Sequence, residues 1–294
     1  MSSNGFRSTL WWKEIVGIIW TIAFIVFLRV YILEPYVIPS ESMVPTLLVG
    51  DHVFVARGAY DFKLPLTNNS LVKVSDPKRG DVVVFDYPAE NAEDDDAGKF
   101  FVKRVIGLPG DRIEIKRGVP VLAEQPLVQN RVKQEDVAIN GFQLNDFGEL
   151  YKESIPEARE ASHWVQRTPE RFDNLNEVID ALRTNNGKTC IEIGSKGYSP
   201  VLINEICSFV VPEHKYFVMG DNRDNSSDGR VFGYVDRSLI KGRVLFIWFS
   251  PPPGEVNPYT SGPAIFAALK DMVPGFFRMV KDSGRLARVG APIK

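Results

Sequence analysis

An apolar stretch near the N-terminus constrains the chain more than any other feature. Residues 15–33 read IVGIIWTIAFIVFLRVYIL and carry one charge, that of Arg29. As a helix this stretch would extend about 28 Å, close to the ~30 Å hydrocarbon core of a bilayer. No small-x-small cleavage site follows this long apolar run, which argues against a cleaved secretory signal. A buried core helix is the other alternative, and a membrane anchor is favoured over it. The sequence therefore predicts a transmembrane helix at residues 15–33.

The charges that flank this stretch favour one orientation. Arg7 and Lys13 precede the anchor and favour a cytoplasmic segment at residues 1–14, although Arg29 on the far side weakens the asymmetry. The remainder of the chain would then lie outside the cytoplasm. In an oxidising compartment Cys190 and Cys207 could form a disulfide, while two free, buried cysteines stay an open alternative.

The overall charge excludes some classes of protein. The chain has 35 basic and 37 acidic residues and a net charge of −2, which gives no support to nucleic-acid binding. Its cysteines and histidines are not spaced as zinc ligands, so neither a metal site nor a cofactor is predicted. A hydrophobic content of 44% is ordinary for a folded protein with a sizeable core.

After the anchor, short β-branched and aromatic runs bounded by turn residues predict strands. They are His52–Arg57, Asp81–Asp86, Phe100–Leu108, Arg112–Lys116, Cys190–Ile193, Ser208–Val211, Tyr216–Met219 and Arg243–Phe249. The fold class is therefore mainly β, with a barrel-like or sandwich arrangement. Residues 117–188 have a weaker pattern and are interpreted as an insertion with a short helix near 169–182. The apolar spacing at 264–280 fits either a helix lying on anionic lipid or a helix packed on the protein itself.

Three segments contain residues with catalytic potential, and the first carries two serines. Residues 38–51 read IPSESMVPTLLVGD, so that Pro39 and Pro45 restrict the backbone around Ser40 and Ser42. A serine hydroxyl is a weak nucleophile and needs a base. Histidine is the usual base, but His52 and His214 stand in no recognisable triad context and are interpreted as surface or turn residues.

The second segment offers a lysine as the base. Lys103 lies in FFVKRVIGL and would share one face of a strand with Phe101 and Val105. Desolvation on such a face can lower a lysine pKa by ~3 units or more, enough to make the amine a base near neutral pH. Taken alone, the segment favours an edge-strand lysine in water.

The third segment is a charged loop, MGDNRDNSSDGR at 219–230. It begins like a calcium-binding loop, but Val235 stands at the position that requires a bidentate carboxylate. A hydrogen-bonded turn is the better interpretation, in which Ser226 orients a neighbour and acidic and basic side chains pair with one another. The paired residues would be Asp221, Asp224 and Asp228 with Arg223 and Arg230.

Taken together, IPSESMVPTL, FVKRVIGLPGD and GDNRDNSSDGR, in that order, resemble the signature motifs of type I signal peptidases, the bacterial leader peptidases. The resemblance implies a membrane-bound serine protease with a Ser/Lys dyad. It implies a catalytic β domain at 35–111 and 212–260, interrupted by a smaller β-rich domain at 112–211 that holds both cysteines, and a tail at 261–294. Some family members have two transmembrane segments, whereas this sequence shows one.

By the same resemblance, Ser42 would be the nucleophile and Lys103 the general base. Ser40 and the Ser42 N–H would form the oxyanion hole, Ser226 would orient the lysine, and Asp221, Arg223, Asp228 and Arg230 would brace the loop. Apolar substrate pockets would involve Tyr36, Ile38, Met43, Val53, Val84, Phe101 and Val102, each of which also fits ordinary core packing.

The resemblance implies exported preproteins as substrates, cut after small-x-small (Ala-x-Ala) sites, and lipid as a further partner. The enzyme would lie in the bacterial inner membrane as a single-pass protein with its catalytic domain on the extracytoplasmic side. Two rival hypotheses are a Ser/Lys protease with one dedicated substrate or with itself as substrate, and a non-catalytic anchored module. The anchor speaks against the soluble self-cleaving relatives. The presence of Ser42, Lys103 and Ser226 together speaks against a binding module.

Overall fold

The structure is a computed structural model, and its β-strands account for most of the regular structure that it describes. The described residues are 11–22, 24, 32–63, 70–89, 96–116, 119–122, 125–132, 138–139, 142–143, 148–158, 162–167, 207–252, 276–277, 279 and 283–293. Residues 11–22 are helical. Within the described part of the chain, no helix combines the length and the apolar character that crossing a bilayer demands.

Strands follow one another along the chain from residue 33 onwards. They are β1 Leu33–Val37, β2 His52–Ala56, β3 Asp61–Lys63, β4 Ser70–Lys73, β5 Val82–Asp86, β6 Phe100–Gly107, β7 Arg112–Lys116, β8 Val119–Leu122, β9 Gln125–Pro126, β10 Val128–Val132, β11 Ala138–Ile139, β12 Phe142–Gln143, β13 Glu149–Ser154, β14 His163–Arg167, β15 Cys207–Val210, β16 Lys215–Met219, β17 Val235–Asp236 and β18 Ile240–Phe249. The helical elements are short: 3-10 turns at Glu41–Met43, Arg57–Ala59 and Arg237–Leu239, and helices α1 Gly229–Phe232 and α2 Ser283–Leu286. The prediction of a mainly β protein is confirmed.

A seven-stranded antiparallel sheet organises the described chain, in the order β1-β2-β18-β5-β6-β16-β17. Strand β5 reads VVVFD and its first four residues are buried, as expected for a strand covered on both faces. Strand β6 pairs with β5 on one side, with Val83 opposite Lys103, and with β16 on the other. Lys103 therefore lies on an interior strand of the sheet, and the interpretation of an edge-strand lysine in water is wrong.

Smaller sheets flank the large one. Strands β15-β7-β8-β9 form a four-stranded sheet and β10-β13-β14 a three-stranded sheet. One apolar cluster joins the four-stranded sheet to the large one, because Ile113 and Phe209 pack with Ile106 and Phe217. The core is thus continuous across residue 111, where the sequence predicts a domain boundary, and the division into domains stays a prediction.

The C-terminal segment packs back onto the large sheet. The Ile247 N–H donates to the Ala291 carbonyl at 3.2 Å, and the Gly290 N–H donates to the Ile247 carbonyl at 2.7 Å. The Arg288 guanidinium donates to the buried Asp51 carboxylate at 2.7 Å and to the Thr46 carbonyl at 2.9 Å. Because Asp51 and Thr46 follow the Ser42 turn, the end of the chain helps to fix the loop after that turn.

His52 departs from its predicted place at the surface. Only 4% of the residue is exposed, and its ring packs against the rings of Trp248 and Phe249, with centroids 5.5 Å and 5.1 Å away. Its Nδ1 lies 2.9 Å from the Gly50 carbonyl. The prediction was wrong because strand β18, far away in the sequence, covers the start of β2. His214 is exposed in a turn, as predicted.

Several predicted features lie outside the described residues. They are the helix near 169–182, the strand Cys190–Ile193, most of the helix at 264–280 and the second half of the proposed anchor. Cys190 is among them, so the disulfide with Cys207 stays a prediction.

Candidate active site

Ser42 lies in a 3-10 turn that follows strand β1. Ser40 is extended, with φ −133° and ψ 162°, and the chain then turns over Glu41–Met43. Met43 and Leu47 are buried in an apolar cluster that also contains Val53 and Val84. This packing fixes the turn to the core of the protein. The turn thus holds Ser42 between a core contact on one side and an open cleft on the other.

Lys103 meets Ser42 in the protein interior. Its Nζ donates a hydrogen bond to Ser42 Oγ at 2.6 Å and lies 5.3 Å from the centroid of the Phe101 ring. Only 3% of Lys103 is exposed, and this burial lowers its pKa to about 8; the nearby Arg230 acts in the same direction, while Asp228 and Asp221 oppose it. A neutral amine at this distance can accept the hydroxyl proton of Ser42.

The loop at 220–223 holds the serine turn through its backbone. The Asn222 N–H donates to the Ser42 carbonyl at 3.1 Å, and the Asn222 side chain donates to the Glu41 carbonyl at 3.2 Å. Gly220 allows this approach, since a Cβ at its position would lie 2.4 Å from the Ser42 carbonyl oxygen. Glycine is therefore required by close contact at this point.

Asp228 and Arg230 fix the far end of the loop. Asp228 caps helix α1, accepting from the Arg230 N–H at 3.1 Å and from the Gly220 N–H at 2.9 Å. The Arg230 guanidinium binds the same carboxylate at 2.8 Å and 2.9 Å. Burial alone would raise the pKa of Asp228, but the Arg230 charge outweighs it and holds that pKa below its ordinary value. This pair agrees with the predicted pairing inside the loop.

The other predicted pairs within the loop are replaced by partners elsewhere. Asp221 binds the Arg104 guanidinium at 2.9 Å and 2.7 Å and accepts from the Thr46 hydroxyl at 2.5 Å. Arg223 binds Glu153 of strand β13, with its Nη1 2.7 Å from Oε2. The prediction that Arg223 pairs with acids of its own loop is wrong. The cause is that strands β6 and β13 bring partners that the local sequence does not contain.

The two remaining serines border the same place. Ser40 is exposed, and its Oγ lies 3.3 Å from Ser42 Oγ. Ser226 is buried, and its Oγ makes no hydrogen bond to any residue that the structure describes. A Cβ on Gly220 would lie 2.2 Å from that oxygen, so Ser226 Oγ and the Ser42 carbonyl face one small space. The predicted contact of Ser226 with Lys103 is not among the hydrogen bonds of the described residues.

A cleft of about 350 Å³ opens above Ser42 and Lys103. Four residues of the predicted substrate pocket line it: Ile38, Met43, Phe101 and Val102. The other three do not. Val53 and Val84 are fully buried beneath the cleft, and Tyr36 is half-buried beside it, with its ring edge-on to Phe100.

Comparisons with known proteins show which family the chain is similar to. The family described as Signal peptidase, peptidase S26 matches residues 11–249. The chain belongs to this signal peptidase family. It is 36% identical to a signal peptidase I of Buchnera aphidicola subsp. Schizaphis graminum over 236 residues, which are 77% of this chain and 72% of the relative.

A second relative covers more of the chain, and a solved structure covers less of it. A signal peptidase I of Aquifex aeolicus is 34% identical over 279 residues, 89% of this chain and 95% of the relative. A crystal structure of a signal peptidase I from Enterococcus faecalis has 20% identity and a TM-score of 0.28, covering 58% of this chain and 98% of that chain. The resemblance seen in the three motifs is confirmed, and the chain is a serine peptidase.

The sequence motifs did not indicate several residues that contact the loop beside Ser42. Arg104 follows Lys103 in the sequence and, by strand alternation, points to the opposite face, where it meets Asp221. That alternation was a usable signal. No signal in the sequence indicated Glu153 or His163, because both belong to the weakly patterned stretch 117–188.

The buried carboxylates of this signal peptidase fold predict acid instability. The Arg104 charge outweighs burial and holds the pKa of Asp221 below its ordinary value, as Arg230 does for Asp228. As the pH falls, the unfolded chain, whose aspartate pKa values are about 4, binds protons at a higher pH than the folded chain does. The stabilisation is complete above that pH and is lost as the pH falls further.

We therefore expect the free energy of unfolding in urea to fall as the pH decreases. The fall begins below pH about 6.5, where the unfolded chain protonates His163, because burial lowers the pKa of this residue in the folded protein, and it becomes steep below pH about 4. A variant with both Arg230→Met and Asp228→Leu lacks the contribution of Asp228 and should show a shallower fall. An unfolding free energy that does not change between neutral and strongly acidic pH would contradict the prediction.

Proposed function

We propose that this peptidase removes signal peptides from exported preproteins by cleaving after small-x-small sites, with Ser42 as nucleophile and Lys103 as general base. The 2.6 Å contact between Lys103 Nζ and Ser42 Oγ at the floor of the cleft carries the proposal. Both groups are buried, and a lysine pKa of about 8 leaves a usable fraction of neutral amine near physiological pH.

The reaction begins when Lys103 Nζ takes the proton of Ser42 Oγ as that oxygen attacks the carbonyl carbon of the scissile bond. The Ser40 hydroxyl and the Ser42 N–H stabilise the oxyanion that develops. Lys103 then gives the proton to the leaving amine of the mature protein, and the signal peptide stays on Ser42 as an ester. Water activated by Lys103 attacks this ester and frees the signal peptide.

The cleft supports the choice of substrate. Ile38, Met43, Phe101 and Val102 give it apolar walls. Such walls suit the small apolar side chains of an Ala-x-Ala site. Val53, Val84 and Tyr36 support these walls from behind. Asp221, Arg223, Asp228 and Arg230 brace the loop that contacts Ser42, and Ser226 orients the lysine when substrate is bound.

Membrane anchoring through residues 15–33 belongs to the same proposal. An anchor that ends shortly before Ser42 would keep the dyad close to the extracytoplasmic surface of the inner membrane. A preprotein whose signal peptide crosses that bilayer presents its cleavage site in the same plane. Confinement of both partners to one surface raises their effective concentration.

The test uses the full chain in detergent and a preprotein with an Ala-x-Ala site. We expect wild type to release the mature protein with its N-terminus directly after that site, as read by mass spectrometry, and Ser42→Ala to release none. A preprotein with tyrosine in place of the alanine before the scissile bond should not be cut. Wild-type cleavage of that tyrosine variant, or no cleavage of the Ala-x-Ala preprotein, would overturn the proposed specificity.

A further inference from the structure

Glu153 of strand β13 is a buried acid without a part in the proposed chemistry. It is fully buried and accepts hydrogen bonds from both Nη atoms of Arg223 and, at 2.6 Å, from Gln129 Nε2. His163 of strand β14 brings its Nε2 to 3.2 Å from the same carboxylate. The three-stranded sheet thus places a carboxylate directly behind the loop that contacts Ser42.

The same sheet also binds that loop through the backbone. The Gln166 N–H donates to the Asp221 carbonyl at 2.9 Å, and the Arg223 N–H donates to the Gln166 carbonyl at 3.0 Å. Asn222, between these two loop residues, pairs with Gln166 as a parallel bridge and donates its N–H to the Ser42 carbonyl. Residues 221–223 therefore lie between strand β14 and the serine turn.

Arg223 links Glu153 to Gly220 through hydrogen bonds. Its Nε donates to the Gly220 carbonyl at 3.2 Å, while its Nη1 is held by Glu153 at 2.7 Å. A bidentate pair of guanidinium and carboxylate fixes distance and orientation together. At Gly220 the loop passes close to the serine turn, since a Cβ there would lie 2.4 Å from the Ser42 carbonyl oxygen.

We propose that Glu153 is a positioning residue for the peptidase, which holds Arg223 and through it the 220–223 loop against the Ser42 turn. The proposal rests on the proposed function, since it concerns the rate of the same reaction. Stability alone does not require this pair, because apolar residues of similar volume often replace a buried ion pair without loss. What the pair adds is a fixed position for the loop.

Loss of that position would act on the lysine. Burial lowers the pKa of Lys103 to about 8. The charges that also influence this pKa are those of Asp228, Arg230 and Asp221, which all lie in or next to this loop. A loop that moves away admits water to Lys103 and raises its pKa. Each unit of increase lowers the neutral fraction about tenfold at a pH below the pKa.

The test compares Glu153→Gln with wild type on the Ala-x-Ala preprotein, across pH. We expect kcat to fall about tenfold or more near neutrality and the deficit to shrink as the pH rises above 8, with KM unchanged. The matched control is Glu149→Gln on the same strand. Glu149 accepts from Tyr151 Oη at 2.6 Å and pairs with Arg131, and no hydrogen bond or ion pair among the described residues joins it to the loop. This variant should keep the wild-type profile.

A second variant covers the case in which Glu153→Gln does not fold. Glu153→Met together with Arg223→Met removes both buried charges, so no unpaired charge remains in the interior. It should show the same loss of kcat and the same alkaline shift. A wild-type profile in either variant, or a deficit that is equal at every pH, overturns the inference. If wild type itself leaves the preprotein uncut, the proposed function has failed instead.

Discussion

Exchange of Lys103 for methionine is expected to lower kcat about 10⁴-fold, because no other base of the described site contacts Ser42 Oγ. Methionine fills a similar volume in the buried position, so the sheet should persist and KM should change little. The measurement is the rate of preprotein cleavage under saturating substrate, with circular dichroism to establish folding. Retention of more than about one hundredth of the wild-type kcat would contradict the role of Lys103.

Lys63 provides a matched control for this exchange. It is also buried, and burial lowers its pKa to about 8, as it does for Lys103. Its Nζ, however, donates to the backbone carbonyls of Ser238 and Ile240, each at 2.7 Å. Lys63→Met should therefore reduce stability, because two carbonyls lose a donor, while the folded enzyme keeps its kcat. Equal losses of kcat in both variants would point to general destabilisation instead of lost chemistry.

The pH dependence of wild type follows from the same lysine. The neutral amine is the active form, and its fraction rises as the pH increases through the pKa of about 8. We expect kcat to increase from pH 6 to a plateau above 8. A kcat that decreases over this range would assign the base to another group.

The sequence allowed much of the fold to be predicted because its signals were local. The runs at Asp81–Asp86 and Phe100–Leu108 are rich in β-branched and aromatic residues and end at turns, and they form strands β5 and β6. The motifs that hold Ser42 and Lys103 were recognisable in the same way. In contrast, the order of strands depends on contacts distant in sequence, so the interior position of β6 and the burial of His52 could not be predicted.

The choice of ionic partners in the site was equally non-local. Asp221 and Arg230 were both expected to pair within their own loop, but only Arg230 does. Arg104 is 117 residues from Asp221, and Glu153 is 70 residues from Arg223. Such partners lie on strands distant in the sequence, whereas the loop alone offers several acids and bases that could pair with one another. Composition and spacing therefore identified the charged residues without identifying their partners.

Gly220→Ala is expected to reduce activity strongly, since the loop and the serine turn touch at this residue. A Cβ would lie 2.4 Å from the Ser42 carbonyl oxygen and 2.2 Å from Ser226 Oγ, so the backbone of one segment must move. A displacement of about 1 Å at a reacting group can lower the rate about 100-fold. We expect a loss of at least that size in kcat for preprotein cleavage, together with a lower free energy of unfolding.

Gly242→Ala separates misplacement of the nucleophile from the effect of a clash as such. Gly242 lies in strand β18, and its Cβ would come 2.4 Å from the Ala56 carbonyl oxygen, the same distance from a backbone atom as at Gly220. Because this clash falls between two strands and away from Ser42, Gly242→Ala should lose stability to a similar degree. The molecules that remain folded should cleave at the wild-type rate. If instead the two alanine variants lose kcat in equal proportion, the close contact of Gly220 with Ser42 has no specific part in catalysis.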